Sequence, residues 1–306
     1  MVKDNSTDEF DQKEIAEDSF AYFFKTGWAN NVRLMAVNVL FIICNIPSIV
    51  LAYLFAVYFI PYLSPSFHWD SFISVVAEDG NTAVSYQLYF LLVIFFITAL
   101  LPSLLVCLGP VQAGFAQVYK SILSNTSVSL MGDLKKGIKE NWKKSLGATF
   151  IGLIVTFILL FAISFYSLLN TNFGVVISSV FKVLFVAFIL VQNFVYNLMV
   201  FTELKLGQCY KNAILFIFLR FGPCFGLGIL VILIYLVAPF LLLMSASYLT
   251  LGIFVFLYSF LLISWMQYFM AFYSRKLIDR YVSSSKKDDI SPENAIESNS
   301  NPEEEI

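Results

Sequence analysis

Charge is what this sequence has least of. Only 13% of its 306 residues are charged, while 59% are hydrophobic and 33 are Phe. Water-soluble domains carry about 25% charged residues, so a soluble fold is excluded. Histidine is nearly absent: His68 stands alone. It lies near Asp70, Glu78 and Asp79, and an ordinary solvated loop outweighs a weak cation site there. Cys44, Cys107, Cys209 and Cys224 show no metal-ligand spacing. None lies in a loop on the side away from the basic residues, so free thiols are expected and a disulfide is not. No Walker loop, HExxH or nucleophile elbow occurs. An enzyme is therefore not expected, nor a cofactor. The alternating segments of about 10 residues that mark barrel strands are missing too. Met1 to Phe20 has no basic region followed by an apolar core, so it is not read as a cleaved signal peptide.

What is present is a series of apolar runs of about 20 residues, the length of membrane-spanning helices. Six are expected, at about 34–60, 88–108, 145–168, 175–201, 225–244 and 248–273. Residues 1–18 carry seven acids and are expected to be disordered. Phe20, Phe23, Phe24 and Trp28 recur at helical spacing. Over 19–33 they suggest either an amphipathic helix on the inner membrane surface or one packed on the bundle. The tail 275–306 is basic first, then acidic and polar, and is expected to be a disordered cytoplasmic tail. The fold class is thus all-α: a polytopic membrane protein of six transmembrane helices with short amphipathic cytoplasmic helices.

Eighteen of the 19 Lys and Arg fall in the N-terminal segment, in 109–144, in 203–222 and in the tail. The three loops on the other side hold none. Cytoplasmic loops retain positive charge, so both termini are placed in the cytoplasm, with the plasma membrane as the setting. The nineteenth cation is Lys182, inside the fourth run.

The longest stretch between runs, Gly109 to Lys144, holds the densest basic cluster. Val111, Phe115, Val118, Tyr119 and Ile122 share one helical face, which predicts a short interfacial helix. A second amphipathic helix is expected over Gly132–Lys144. Candidate partner-docking residues are Lys135, Lys136, Ile138, Lys139, Asn141, Trp142, Lys143 and Lys144. Their lysines enforce topology, bind anionic lipid head groups, or flank a docking helix; all three readings stand open. Nucleic acid is not an expected partner, because the basic residues lie against the membrane.

Polar residues inside spans are the other candidates. Asn38 and Asn45 share a face of the first run. Lys182, Asn193 and Asn197 share one of the fourth. They either line a polar path between spans one and four or tie helices together. No Asp or Glu lies in any run, which weighs against proton-coupled transport. Pro47 and Pro102 are candidate kink positions.

Three stretches resemble the YesL-like family of bacterial membrane proteins. The first is Leu34-Met35-Ala36-Val37-Asn38-Val39-Leu40 with Asn45-Ile46-Pro47. The second is Gly109-Pro110 with the run from Asp133 through Lys139-Glu140-Asn141-Trp142-Lys143. The third is Glu203-Leu204-Lys205-Leu206 with Lys211-Asn212-Ala213. They span about residues 30–275. The loop 61–87 and the acidic ends depart from the family pattern. The resemblance implies a Gram-positive plasma membrane protein encoded beside carbohydrate-uptake genes. The resulting expectation is a non-enzymatic accessory protein of carbohydrate-uptake machinery. The alternative is a self-sufficient carrier or channel for a small solute.

Overall fold

The computed structural model describes residues 19–63, 68–71, 86, 88–90, 92–94, 96–97, 109–126, 129–169, 171–245 and 247–282. Of these, 92% are helical and none is in a strand. The second expected run, with Pro102 and Cys107, lies mostly outside the described residues. So do most of loop 61–87, the N-terminal 18 residues and the tail beyond Val282.

The first described element is α1, Phe20–Ala29, capped by the Ser19 hydroxyl, which accepts from the Tyr22 amide at 3.2 Å. It turns by 77° into α2, Asn31–Cys44. Asn45 interrupts the helix, and α3, Ile46–Leu54, resumes with Pro47 in its first turn. A proline there forfeits no helical hydrogen bond, so the break falls at Asn45 and not at Pro47. A π-helical turn, Phe55–Phe59, and α4, Ile60–Leu63, complete this segment.

Next among the labelled elements come α5, Gly109–Leu123, and α6, Leu130–Leu168. The turn between them passes through Asn125 in the left-handed region at φ 49°, a conformation that Asn tolerates. Helix α7, Asn172–Phe201, returns antiparallel to α6, its start capped by the Thr171 hydroxyl. Helix α8, Leu206–Leu219, fills most of the loop expected at 203–222. Then come α9, Phe221–Ile232, a π turn at Leu233–Val237, and α10, Ala238–Ser245. Last are α11, Tyr248–Leu257, a π turn at Tyr258–Leu262, and α12, Ile263–Tyr281. The tail expected from 275 is helical through Tyr281.

Four continuous helical stretches are long and apolar enough to cross a membrane: Leu130–Leu168, Asn172–Phe201, Phe221–Leu241 and Tyr248–Tyr281. Counting bent α1–α2 as one span makes five. In α6 only 28% of the apolar window is buried within the protein. Phe150, Ile154, Phe157, Phe161 and Phe165 remain exposed along it. Lipid is the environment that leaves such a face without cost. The chain is therefore a membrane-embedded helical bundle.

Two expectations for 109–144 are corrected. Helix α5 does not lie free on one face, as a surface helix would: 12 of its 15 residues are buried within the protein. Its apolar face, with Phe115, Val118, Tyr119 and Ile122, packs with Leu34, Val37 and Phe41 of α2 and with Tyr268 and Phe272 of α12. Its other face lies on α6. Nor is Gly132–Lys144 a separate helix. It is the first part of α6, whose 39 residues reach about 58 Å at 1.5 Å each. The hydrocarbon core is about 30 Å thick, so α6 is long enough to extend its basic part well beyond the bilayer.

The α5–α6 contact depends on missing side chains. A Cβ on Gly137 would lie 2.6 Å from the Ala113 oxygen and 2.9 Å from the Gly114 Cα. One on Gly109 would overlap the Ser145 carbonyl oxygen. The Gly109 amide donates to the Thr149 hydroxyl at 2.7 Å. Small residues let the backbones approach this closely. Gly226, by contrast, faces open space. We expect Gly137→Val to lower stability by about 1–3 kcal/mol through overpacking. Gly226→Ala, at a helical position facing open space, should leave stability unchanged or raise it by up to about 1 kcal/mol. Thermal unfolding in detergent compares the two.

Candidate functional site

The lysine-rich start of α6 has two faces. Leu134, Gly137, Asn141 and Ser145 are buried against α5. Lys135, Lys136, Lys139, Trp142 and Lys143 are exposed, and Lys144 is half-buried. Lys143 Nζ lies 5.5 Å from the centre of the Trp142 ring. Among the eight expected docking residues, Ile138 and Asn141 turn inward. Ile138 packs beside Gly114, and the Asn141 amide donates to the Gly137 oxygen at 3.4 Å. They anchor the exposed face and do not form it.

The intramembrane asparagines are held in separate places. Asn38 is fully buried. Its Nδ2 donates to the Tyr258 and Ser259 carbonyls at 2.8 and 2.7 Å, and its Oδ1 accepts from the Ser264 amide at 2.6 Å. These are the backbone groups of the π turn Tyr258–Leu262 and its edge. A π turn breaks the helical ladder locally, and Asn38 supplies partners from α2. The Asn45 Nδ2 donates to the Phe41 oxygen at 2.7 Å, and its Oδ1 accepts from Gln112 at 3.3 Å. Asn193 donates to Ile189 of its own helix at 2.9 Å. Asn197 donates to the Ser274 hydroxyl of α12 at 2.9 Å. Lys182 is exposed on the outer face of α7. None of these hydrogen bonds joins Asn38 or Asn45 to Asn193 or Asn197.

Three structural polar residues escaped the sequence reading. Gln192, buried on α7, donates to the Ala148 oxygen at 3.2 Å and accepts from the Tyr210 hydroxyl at 2.7 Å, tying α6, α7 and α8 together. Gln112 meets Asn45. Arg275 donates to the Leu123 carbonyl at 2.8 Å, closing the end of α5. The Tyr22 hydroxyl donates to the same carbonyl. The signal for the two glutamines was a polar residue on an apolar helix face, and for Arg275 a cation in a basic stretch; neither names its partner.

No protein-family model, curated protein or solved structure matches the chain. The resemblance to the YesL-like family rests on its motifs. Among the described residues no group of three or more His, Cys, Asp or Glu is placed to hold a metal ion. His68 Nδ1 lies 3.6 Å from Asp70 on an exposed segment. Cys44, Cys209 and Cys224 are free thiols.

We expect Asn38→Leu to destabilise the bundle by about 1–3 kcal/mol, the range for leaving buried polar groups unpaired. Asn193→Leu removes a bond within one helix and should cost less. Detergent unfolding midpoints of the two variants give the comparison. Equal losses would mean that the π turn does not need its partner.

Proposed function

We propose that this chain is a non-enzymatic, six-span protein of the plasma membrane with both termini in the cytoplasm. In this reading its basic helix docks to a membrane transport complex. The sixth span is the apolar run at about 88–108. The observation that carries the proposal is the one-sided start of α6. Five exposed residues, four lysines and a tryptophan, stand on a helix whose opposite face is locked to α5. A rigid positive face with an aromatic anchor suits an acidic partner surface. The resemblance to the YesL-like family points to carbohydrate-uptake machinery as that partner. The same lysines also attract anionic lipid head groups, at about 1 kcal/mol per charge near the surface.

The carrier alternative would use Asn38, Asn45, Lys182, Asn193 and Asn197 as a path. The hydrogen bonds of the four asparagines favour a packing role instead, and Lys182 stands apart on an exposed face.

Purification in mild detergent tests the proposal. A transport complex should accompany the parent chain in stoichiometric amount. Trp142→Ala should reduce it at least several-fold, in line with about 1–2 kcal/mol for a buried aromatic anchor. Reversal of Lys135, Lys139 and Lys143 to Glu should abolish it. A chain that purifies alone from its native membrane, with solute flux in proteoliposomes lost in Asn45→Leu, would overturn the docking reading.

A further inference from the structure

Where the ends of α5, α7 and α12 meet the start of α8, the protein holds a pocket of about 580 Å³. It opens at the end of the bundle that carries the basic part of α6. Lys120, on the last turn of α5, is half-buried in its wall. Its ammonium donates to the Val200 carbonyl at 2.8 Å and sits 5.6 Å from the centre of the Phe201 ring. Among the described residues it forms no ion pair with a carboxylate. Lys136 lies near enough to act on it electrostatically, and burial and Lys136 together lower its pKa, while Glu140 opposes them. One bond to a carbonyl leaves this cation with donor capacity, since an ammonium has three N–H groups.

The rest of the wall is amphipathic. Lys205 and Arg275 add positive charge. Asp279 lies 3.8 Å from Arg275 Nε, and Glu203 is exposed at the rim. Phe201, Leu204, Ile278 and Val282 provide apolar surface. Helix α8 also starts here, with Lys205 and Gln208 in the wall, and a helix start favours anions. The pocket thus combines an ammonium with no carboxylate ion pair among the described residues, a second lysine, a helix start and an apolar wall.

We propose that this pocket binds a phosphate ester, with Lys120 and Lys205 on the phosphate and an apolar portion of the ligand along Phe201 and Ile278. A phospholipid head group and a soluble phosphorylated metabolite share this chemistry. The site is separate from the exposed face of α6, so it does not rest on the docking reading.

The test uses the full chain in nanodiscs of phosphatidylcholine with and without phosphatidylglycerol. Bound lipid is counted by native mass spectrometry after release into detergent. Glycerol 3-phosphate is titrated separately by thermal shift. Retained phosphatidylglycerol, weakened about tenfold by Lys120→Gln but not by Lys139→Gln, supports the lipid source. Tenfold is the loss expected for one charge-assisted contact. Stabilisation by glycerol 3-phosphate that Lys120→Gln abolishes supports the soluble source. Lys205→Gln, at an exposed position, repeats both measurements if Lys120→Gln does not fold. Binding of neither ligand overturns the proposal, as does phosphatidylglycerol retention that responds to Lys139→Gln as strongly as to the pocket variants.

Discussion

The bundle depends on how closely α5 can lie against α6. Gly109, Gly114 and Gly137 remove the side chains that would hold the two backbones apart. Without a hydrophobic force between helices in lipid, packing at such small-residue contacts carries association. Once α5 is seated, its other face offers Phe115, Val118 and Ile122 to α2, and α12 closes over Tyr119. Arg275 and Tyr22 then both reach the Leu123 carbonyl at the helix end. The glycine contact thus brings the two ends of the described chain together at the basic end.

Burial is uneven for the same reason. The two larger buried clusters gather around α5 and around the second half of α7 with α8 and α12. The apolar halves of α6, α7 and α11 stay largely exposed. In water such faces would drive aggregation. In lipid they need no covering, and the protein spends its packing on the end where polar backbone and charged side chains must be ordered. Helix α6 joins the two regimes in one rod, with Lys135, Lys139 and Trp142 near one end and Phe161 and Phe165 near the other.

Polar residues within the apolar helices serve that packing. Asn38 completes the backbone of a π turn on another helix. Gln192 bridges three helices. Unpaired polar groups are expensive in a low-dielectric interior, so each such residue is useful only where a partner awaits it. Lys120 differs, because a carbonyl answers only part of its hydrogen-bonding capacity and, among the described residues, no carboxylate forms an ion pair with it.

The all-helical class and the four helices long and apolar enough to cross a membrane were legible in the sequence. Length and hydropathy of a single run decide whether one helix can cross a bilayer. Free thiols at Cys44, Cys209 and Cys224 were legible as well. The place of α5 was not. Its apolar stripe of Val111, Phe115, Val118, Tyr119 and Ile122 reads as one face of a surface helix. Its second buried face is made of Gly109, Ala113, Gly114 and Gln117, which carry no periodic hydrophobic signal. Only contact with Gly137 and Ser145 on α6 turns that face into an interface. Only the tertiary structure names the hydrogen-bond partners of the asparagines, because a shared face on one helix does not say which neighbour it meets. It also assembled the Lys120 pocket from the ends of helices remote in sequence, whose burial and charge arise only when those ends meet.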